Sequence, residues 1–272
     1  MHRTLPTLVC SVLAVGAALP RAAQAACSRV IHVPISATGQ SVIVDGDTIK
    51  GIYPDLLRSL ADKDGCTVAL SAVPRARQEI LFETGRADLL IPASRTPKRD
   101  MHGSFIPLIR NRAMLISLRG SRPAIKTMQD LVDRPGFKVA LVRGFDYGQT
   151  YQDLISTLTL QGRLILEVDA LSVARLLKSG AADATIMTPS ILAGALQDDE
   201  RVQDLLDRLQ FEALPELPWG HSGVYLSNST LNPRDLAALR AALERAAKSG
   251  VVWRGFQQYY APAVLNGSIR PL

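Results

Sequence analysis

Short β-branched and apolar runs alternate with longer runs of helical spacing along most of the chain. Residues 29–36, 66–73 and 87–91 read as strands, and residues 53–61 and 75–84 as the helices between them. Leu56, Leu57 and Leu60 place one apolar face on the first helix, and Gly85 closes the second. Val42-Ile43-Val44 and Thr48-Ile49 flank Asp45-Gly46-Asp47, a hairpin pattern over residues 41–50. Residues 92–107 read as a loop, residues 113–118 as a strand, and Gly120-Ser121-Arg122-Pro123 as a break.

A second series follows the break. Strands at 137–142, 163–168 and 183–187 alternate with helices at 128–132, 149–158, 171–178 and 190–196. Asn232-Pro233 then opens a long helix to Lys248, with Leu236, Leu239, Ala242, Leu243 and Ala246 at helical spacing. A last helix covers 251–260. Alternating strands and helices predict an α/β protein with parallel-rich sheets. Two such series with a terminal helix pair predict two lobes joined by two hinge crossovers, near 110–113 and 219–222. The first lobe would take residues 26–112 plus 222–272, and the second residues 113–221. A cleft between hinged lobes is the natural ligand site.

The N-terminus adds a location. A short basic start with Arg3, an apolar run from Leu5 to Leu19, and Ala23-Gln24-Ala25 form a secretory leader over residues 1–25. The chain is therefore expected in the periplasm. The net charge of +6 becomes +4 without Arg3 and Arg21. These charges are interspersed, which argues against a nucleic-acid footprint. Cys27 and Cys66 remain after the leader, each just before an apolar run. If those runs are adjacent parallel strands, the two thiols lie at one sheet end and pair. Lipidation of Cys27 is the alternative, although Gln24 stands where a lipobox has Leu. Two cysteines and four scattered histidines make no metal-ligand cluster, and no cofactor is expected.

Arg99 leads the candidate chemistry. A guanidinium holds a carboxylate through two parallel hydrogen bonds, and Arg99 follows the third strand at a sheet edge where α/β proteins bind ligands. Ser94 and Thr96 are candidate helpers. The loop Arg143-Gly144-Phe145-Asp146-Tyr147-Gly148 precedes a helix, whose free N–H groups favour negative charge; a turn with Asp146 as helix cap is the simpler reading. Pro74-Arg75-Ala76-Arg77 could send Arg77 or Arg75 into the cleft, or leave both in solvent. Tyr53 is a candidate cleft wall or a packing residue, and Trp219 reads as hinge packing. Aromatic residues make up only 5% of the chain, which favours a small charged ligand over a stacked ring.

Three segments carry a resemblance: Gly51-Ile52-Tyr53-Pro54-Asp55-Leu56-Leu57; Gly85-Arg86-Ala87-Asp88-Leu89-Leu90-Ile91 with Ser94-Arg95-Thr96-Pro97-Lys98-Arg99; and Gly180-Ala181-Ala182-Asp183-Ala184. Together they resemble the polar amino acid family of periplasmic solute-binding proteins (bacterial extracellular solute-binding protein family 3). The resemblance implies a type II, Venus-flytrap fold and a non-catalytic monomer serving an inner-membrane ABC permease. It implies that Arg99 grips a ligand carboxylate and that the loop with Asp146 and Tyr147 closes over it. Many members place an acid where this chain has Thr188, so either Asp146 meets the ligand ammonium or the ligand has none. The same fold hosts a prephenate- or arogenate-type dehydratase, which is the enzymatic alternative. A third reading makes the chain a receptor for a sensor kinase or redox enzyme. No Ser-His-Asp or Cys-His spacing stands out among His32, His102 and His221.

Overall fold

The computed structural model describes residues 27–120 and 123–272. The expected leader, and Ser121 and Arg122 of the expected break, lie outside the described residues. The chain starts with β1 (Ile31–Ile35), the hairpin β2 (Ile43–Asp45) and β3 (Thr48–Lys50), α1 (Ile52–Asp64), β4 (Val68–Ala72), α2 (Arg75–Glu83), β5 (Leu89–Ser94), α3 (Pro97–Asp100) and β6 (Gly103–Asn111). It continues through β7 (Met114–Leu118), α4 (Met128–Val132), β8 (Val139–Val142), α5 (Gln149–Leu160), β9 (Leu164–Glu167), α6 (Ala170–Ser179), β10 (Ala184–Met187), α7 (Pro189–Gln197), a 3-10 turn and β11 (Leu209–Glu212). It ends with β12 (Gly220–Ser227), α8 (Pro233–Ser249), α9 (Val251–Tyr259), α10 (Pro262–Leu265) and β13 (Ile269–Arg270).

These elements build two α/β lobes. In one, β1 and β4 pair in parallel beside the antiparallel set β5–β12–β6–β13. Its main core lies between these strands and α1, α8 and α9, with a smaller core of Phe82, Leu90, Ala93 and Tyr225 under α2. In the other, the order is β11–β7–β10–β8–β9, parallel through β10, β8 and β9 and antiparallel at β7 and β11. Val139 to Val142 of β8 are all buried, as a strand covered on both faces requires. The sheets are thus mixed: parallel where strand–helix units supply strands, antiparallel where the chain crosses between lobes.

Two aspartates do the same job in the two lobes. Asp88 accepts from the His32 N–H at 2.8 Å, and Asp183 from the Lys138 N–H at 2.7 Å. The two carboxylates directly precede β5 and β10, and each ties a neighbouring strand to the one it precedes. Asp88 also grips Arg29 through two bonds of 2.7 Å. The family-like Gly-x-Ala-Asp turns therefore act as strand anchors.

The stretch at 92–107 departs from the loop reading. β5 runs on to Ser94, α3 follows, and β6 begins at Gly103. Prolines explain the misreading. Pro92 in β5 and Pro107 in β6 both sit where the register with β12 shifts. Such irregularities let a strand carry proline. The strands β11, β12 and β13 also go beyond the pattern read from sequence.

Cys27 and Cys66 form a disulfide at the common end of β1 and β4, with Cα atoms 4.8 Å apart. A thiol in that bond is not free to carry a lipid. Near the return crossover, Trp219 lies under two cations: the Arg270 guanidinium is 4.1 Å from its ring centre and that of Arg112 is 5.2 Å away.

Candidate functional site

The two lobes meet around a small polar cavity. Thr38, Arg75, Pro92, Ser94, Arg99, Asn111 and Ser222 face it from the first lobe, and Phe145, Asp146, Tyr147, Thr188 and Ile191 from the second. About 50 Å³ of space is left inside, and an adjoining chamber of about 40 Å³ reaches Tyr53, Ser190 and Phe256. On the outside, a groove of about 560 Å³ shares Arg99, Phe145 and Asp146 with the cavity and adds Glu79, Thr96 and Gly144. The cleft is shut in this structure.

Arg99 is at the cavity, 2% exposed, but its fork is already engaged. Nε and Nη2 donate to the two carboxylate oxygens of Glu79 at 3.1 and 2.8 Å, and Nη1 donates to the Ser94 carbonyl at 2.8 Å. Glu79 also accepts from Arg75 Nη2. Arg75 in turn donates to Gln78 Oε1, to the Pro92 carbonyl and, across the cleft, to the Gly144 carbonyl at 3.4 Å. The result is a buried Arg75–Glu79–Arg99 triad in which one guanidinium edge of Arg99 holds a carboxylate from its own chain. Burial alone would raise the Glu79 pKa, but the two arginines outweigh it and hold the carboxyl below its usual range. Burial lowers the Arg75 pKa, with Glu79 opposing the shift.

The other sequence candidates fall at different distances from the cavity. Ser94 lines it and offers its carbonyl to Arg99. Thr96 does not reach the inner space. Its hydroxyl caps α3 by accepting the Arg99 N–H, and its own N–H goes to the Tyr225 hydroxyl. Arg77 is exposed and lines neither cavity nor groove; Arg75, the first residue of α2, takes the inward position instead. Tyr53 is buried in the adjoining chamber, bonded to Ser222 and edge-on to Phe256 at 6.3 Å.

In the second lobe, Asp146 Oδ1 accepts from the Gly148 N–H at 2.9 Å and from Gln152 Nε2 at 3.1 Å, which shapes the entry to α5. Its carboxylate still borders the cavity opposite the arginines. The Tyr147 hydroxyl bonds to the backbone and side chain of Thr188, and burial pushes its pKa up to about 12. Thr188 accepts from Asn111 Nδ2 at 3.2 Å, a link between lobes. A third link lies beyond: Gln40 Nε2 donates to Asp198 Oδ1 at 2.8 Å, where Gly194 of α7 packs on Gly39 and Gln40.

Glu79, Asn111, Ser222 and Thr38 are absent from the sequence reading. Glu79 had a signal: it stands four residues after Arg75 on one helix, the spacing of an ion pair. Asn111 and Ser222 lie on strands hidden by proline and by the long segment after α7. Among the described residues no group of three His, Cys, Asp or Glu side chains is placed to hold a metal.

No family model matches the chain, and no curated protein matches it by sequence. Solved structures match over most of its length. A histidine kinase sensor domain with similarity to periplasmic binding proteins is 21% identical, with a TM-score of 0.68, covering 89% of this chain and 98% of that one. The ancestral amino acid-binding protein AncCDT-1, a precursor of cyclohexadienyl dehydratase, is 18% identical, with a TM-score of 0.66, covering 85% and 96%. A substrate-binding protein of an amino acid ABC transporter is 17% identical, with a TM-score of 0.63, covering 85% and 99%. At these identities the likeness is one of fold, and the two-lobed chain has the fold of the periplasmic binding proteins.

Proposed function

We propose that this chain is an exported solute-binding protein that holds a small amino acid or related carboxylate between its lobes. The observation that carries the reading is the pair of buried guanidiniums, Arg75 and Arg99, facing a shut polar cavity across from Asp146. The ligand carboxylate lies against N–H groups of the arginines that Glu79 leaves open, with Ser94 beside them. An ammonium group, where present, lies toward Asp146. The Phe145–Tyr147 loop and Thr188 complete the enclosure from the second lobe, taken as residues 113–221 against 26–112 plus 222–272. Contacts made only when the lobes are shut shift the population to the closed form. An inner-membrane ABC permease is the partner that reads that form, and the working unit in the periplasm is a monomer.

Calorimetry against the amino acids and small organic acids tests the reading. Binding by the wild type, lost or strongly weakened in Arg99→Lys, supports it, because lysine keeps the charge and loses the planar fork. No binding across the panel, or unchanged binding in Arg99→Lys, rejects it. The dehydratase reading draws on the likeness to AncCDT-1; turnover of prephenate or arogenate, abolished by Asp146→Asn, would replace the receptor reading.

A further inference from the structure

Glu79 is missing from the wall of the inner cavity, whereas both of its arginine partners are on it. The carboxylate grips them from the side of the outer groove. Arg99 has five N–H groups; its bonds to Glu79 and Ser94 use three of them. Arg75 uses four, on Gln78, Pro92, Glu79 and Gly144. The pair therefore keeps three donors without an acceptor among the described residues. It also keeps one positive charge in excess of Glu79. Both guanidiniums are almost fully buried, at 6% and 2% side-chain exposure, and Glu79 is at 12%. Asp146 borders the same cavity, but its hydrogen bonds go to Gly148 and Gln152 of its own lobe and not to the arginines. The charge left over at the guanidiniums therefore needs a contacting partner, and it takes one charge of opposite sign, not two.

We propose that Glu79 is a positioning residue that sets the charge of the ligand group accepted here: a monoanionic, planar carboxylate, with exclusion of dianionic phosphate or phosphonate groups. This rests on the cavity being the ligand site. Glu79 locks the two forks in place and cancels one of their charges. A carboxylate completes the balance. A dianion would bring a second negative charge into a closed site against the nearby Glu79 and Asp146 carboxylates. A ligand carboxylate does not displace Glu79, because pulling one member out of a buried ion triad leaves unpaired charge behind.

The test is a charge series titrated with acetate and with inorganic phosphate at a pH where phosphate is dianionic, read by calorimetry and thermal shift. Glu79→Gln raises the net charge of the arginine pair's surroundings by one and is expected to gain phosphate affinity by about tenfold or more, with acetate changed much less. The double variant Arg75→Gln/Glu79→Gln restores the wild-type charge and is expected to lose that gain. A purely structural role for Glu79 would weaken both anions together and would not be reversed by the second substitution. Equal phosphate affinity in wild type and Glu79→Gln, or a gain that survives in the double variant, overturns the proposal. If Glu79→Gln does not fold, Arg75→Gln alone is compared with the double variant, and acetate binding no weaker in the single variant is the overturning result. The amino acid panel on the wild type is a separate readout: its failure removes the ligand assignment, whereas a failed charge ranking with a positive panel removes only the role of Glu79.

Discussion

Gly194→Ala should act as a wedge between the lobes. The residue lies inside α7, and a Cβ built on it would stand 2.5 Å from the Gln40 nitrogen, 2.6 Å from the Gly39 Cα and 2.8 Å from the Tyr260 hydroxyl. Relaxed contacts between carbon atoms lie at roughly 3.5–4.0 Å, so the facing surfaces must part by about 1 Å. Two of the three obstacles are backbone and cannot swing aside. Overpacking of this kind costs about 1–3 kcal/mol. The cost falls on the shut arrangement, so apparent affinity should drop by roughly 5- to 150-fold as the competent fraction shrinks. Within a helix interior the same change removes the glycine penalty of about 1 kcal/mol, so the unliganded protein should melt no lower than wild type. Calorimetry with the ligand found by the panel gives the affinity, and small-angle scattering gives the degree of closure. Wild-type affinity together with a wild-type closed radius would refute the idea that Gly194 and Gly39 set how far the lobes approach.

Three further outcomes follow from the site and its supports. Asp146→Asn keeps the acceptor for the Gly148 N–H but removes the charge; an amino acid should bind roughly 10- to 100-fold more weakly while the matching acid without an ammonium changes little, since a charged hydrogen bond contributes about 1.5–3 kcal/mol. Acid should destabilise the protein only once pH falls below the ordinary carboxyl range. Burial pushes the Glu79 and Asp88 carboxyls up, yet the arginines and hydrogen bonds around them win and hold both below the usual range. Such depressed values stabilise the fold above the unfolded carboxyl pKa of about 4, and the contribution is lost as pH falls through the folded values. Urea midpoints measured from neutral to strongly acidic pH should show that fall, and a flat profile would contradict it. Replacing Cys27 and Cys66 with serine opens a loop with a sequence separation of 39, and the chain-entropy model gives about 4 kcal/mol for a closure of this length. Urea titrations of the variant, and of the wild type with reductant, should both show a loss of that order.

Much of the architecture was written in local patterns. Gly65, Gly180 and Gly250 end α1, α6 and α8 in the left-handed region, and Asn232 caps α8 through the Asp235 N–H, all short-range chemistry visible in a window of a few residues. The hairpin turned at Gly46, where φ is 54°, for the same reason. The crossing strands were less legible because their partners are distant in sequence: β6 pairs with β12 more than a hundred residues later, and Pro107 in its middle disguised it. Arg99 was readable as a cavity residue from its place after β5. Its engagement by Glu79 was not, because it depends on how α2 packs beside α3, and neither helix carries that information alone. Arg75 over Arg77 was settled the same way, by which side of α2 turns toward the Gly144 loop.

The stacked cations over Trp219 give the molecule a built-in optical gauge. The chain has two tryptophans, and this one lies where the backbone returns from one lobe to the other. A swing of the lobes would shift Arg112 and Arg270 relative to the indole and so alter its emission. With Trp253 replaced by phenylalanine, a single fluorophore would then follow opening and shutting in real time, with no label attached.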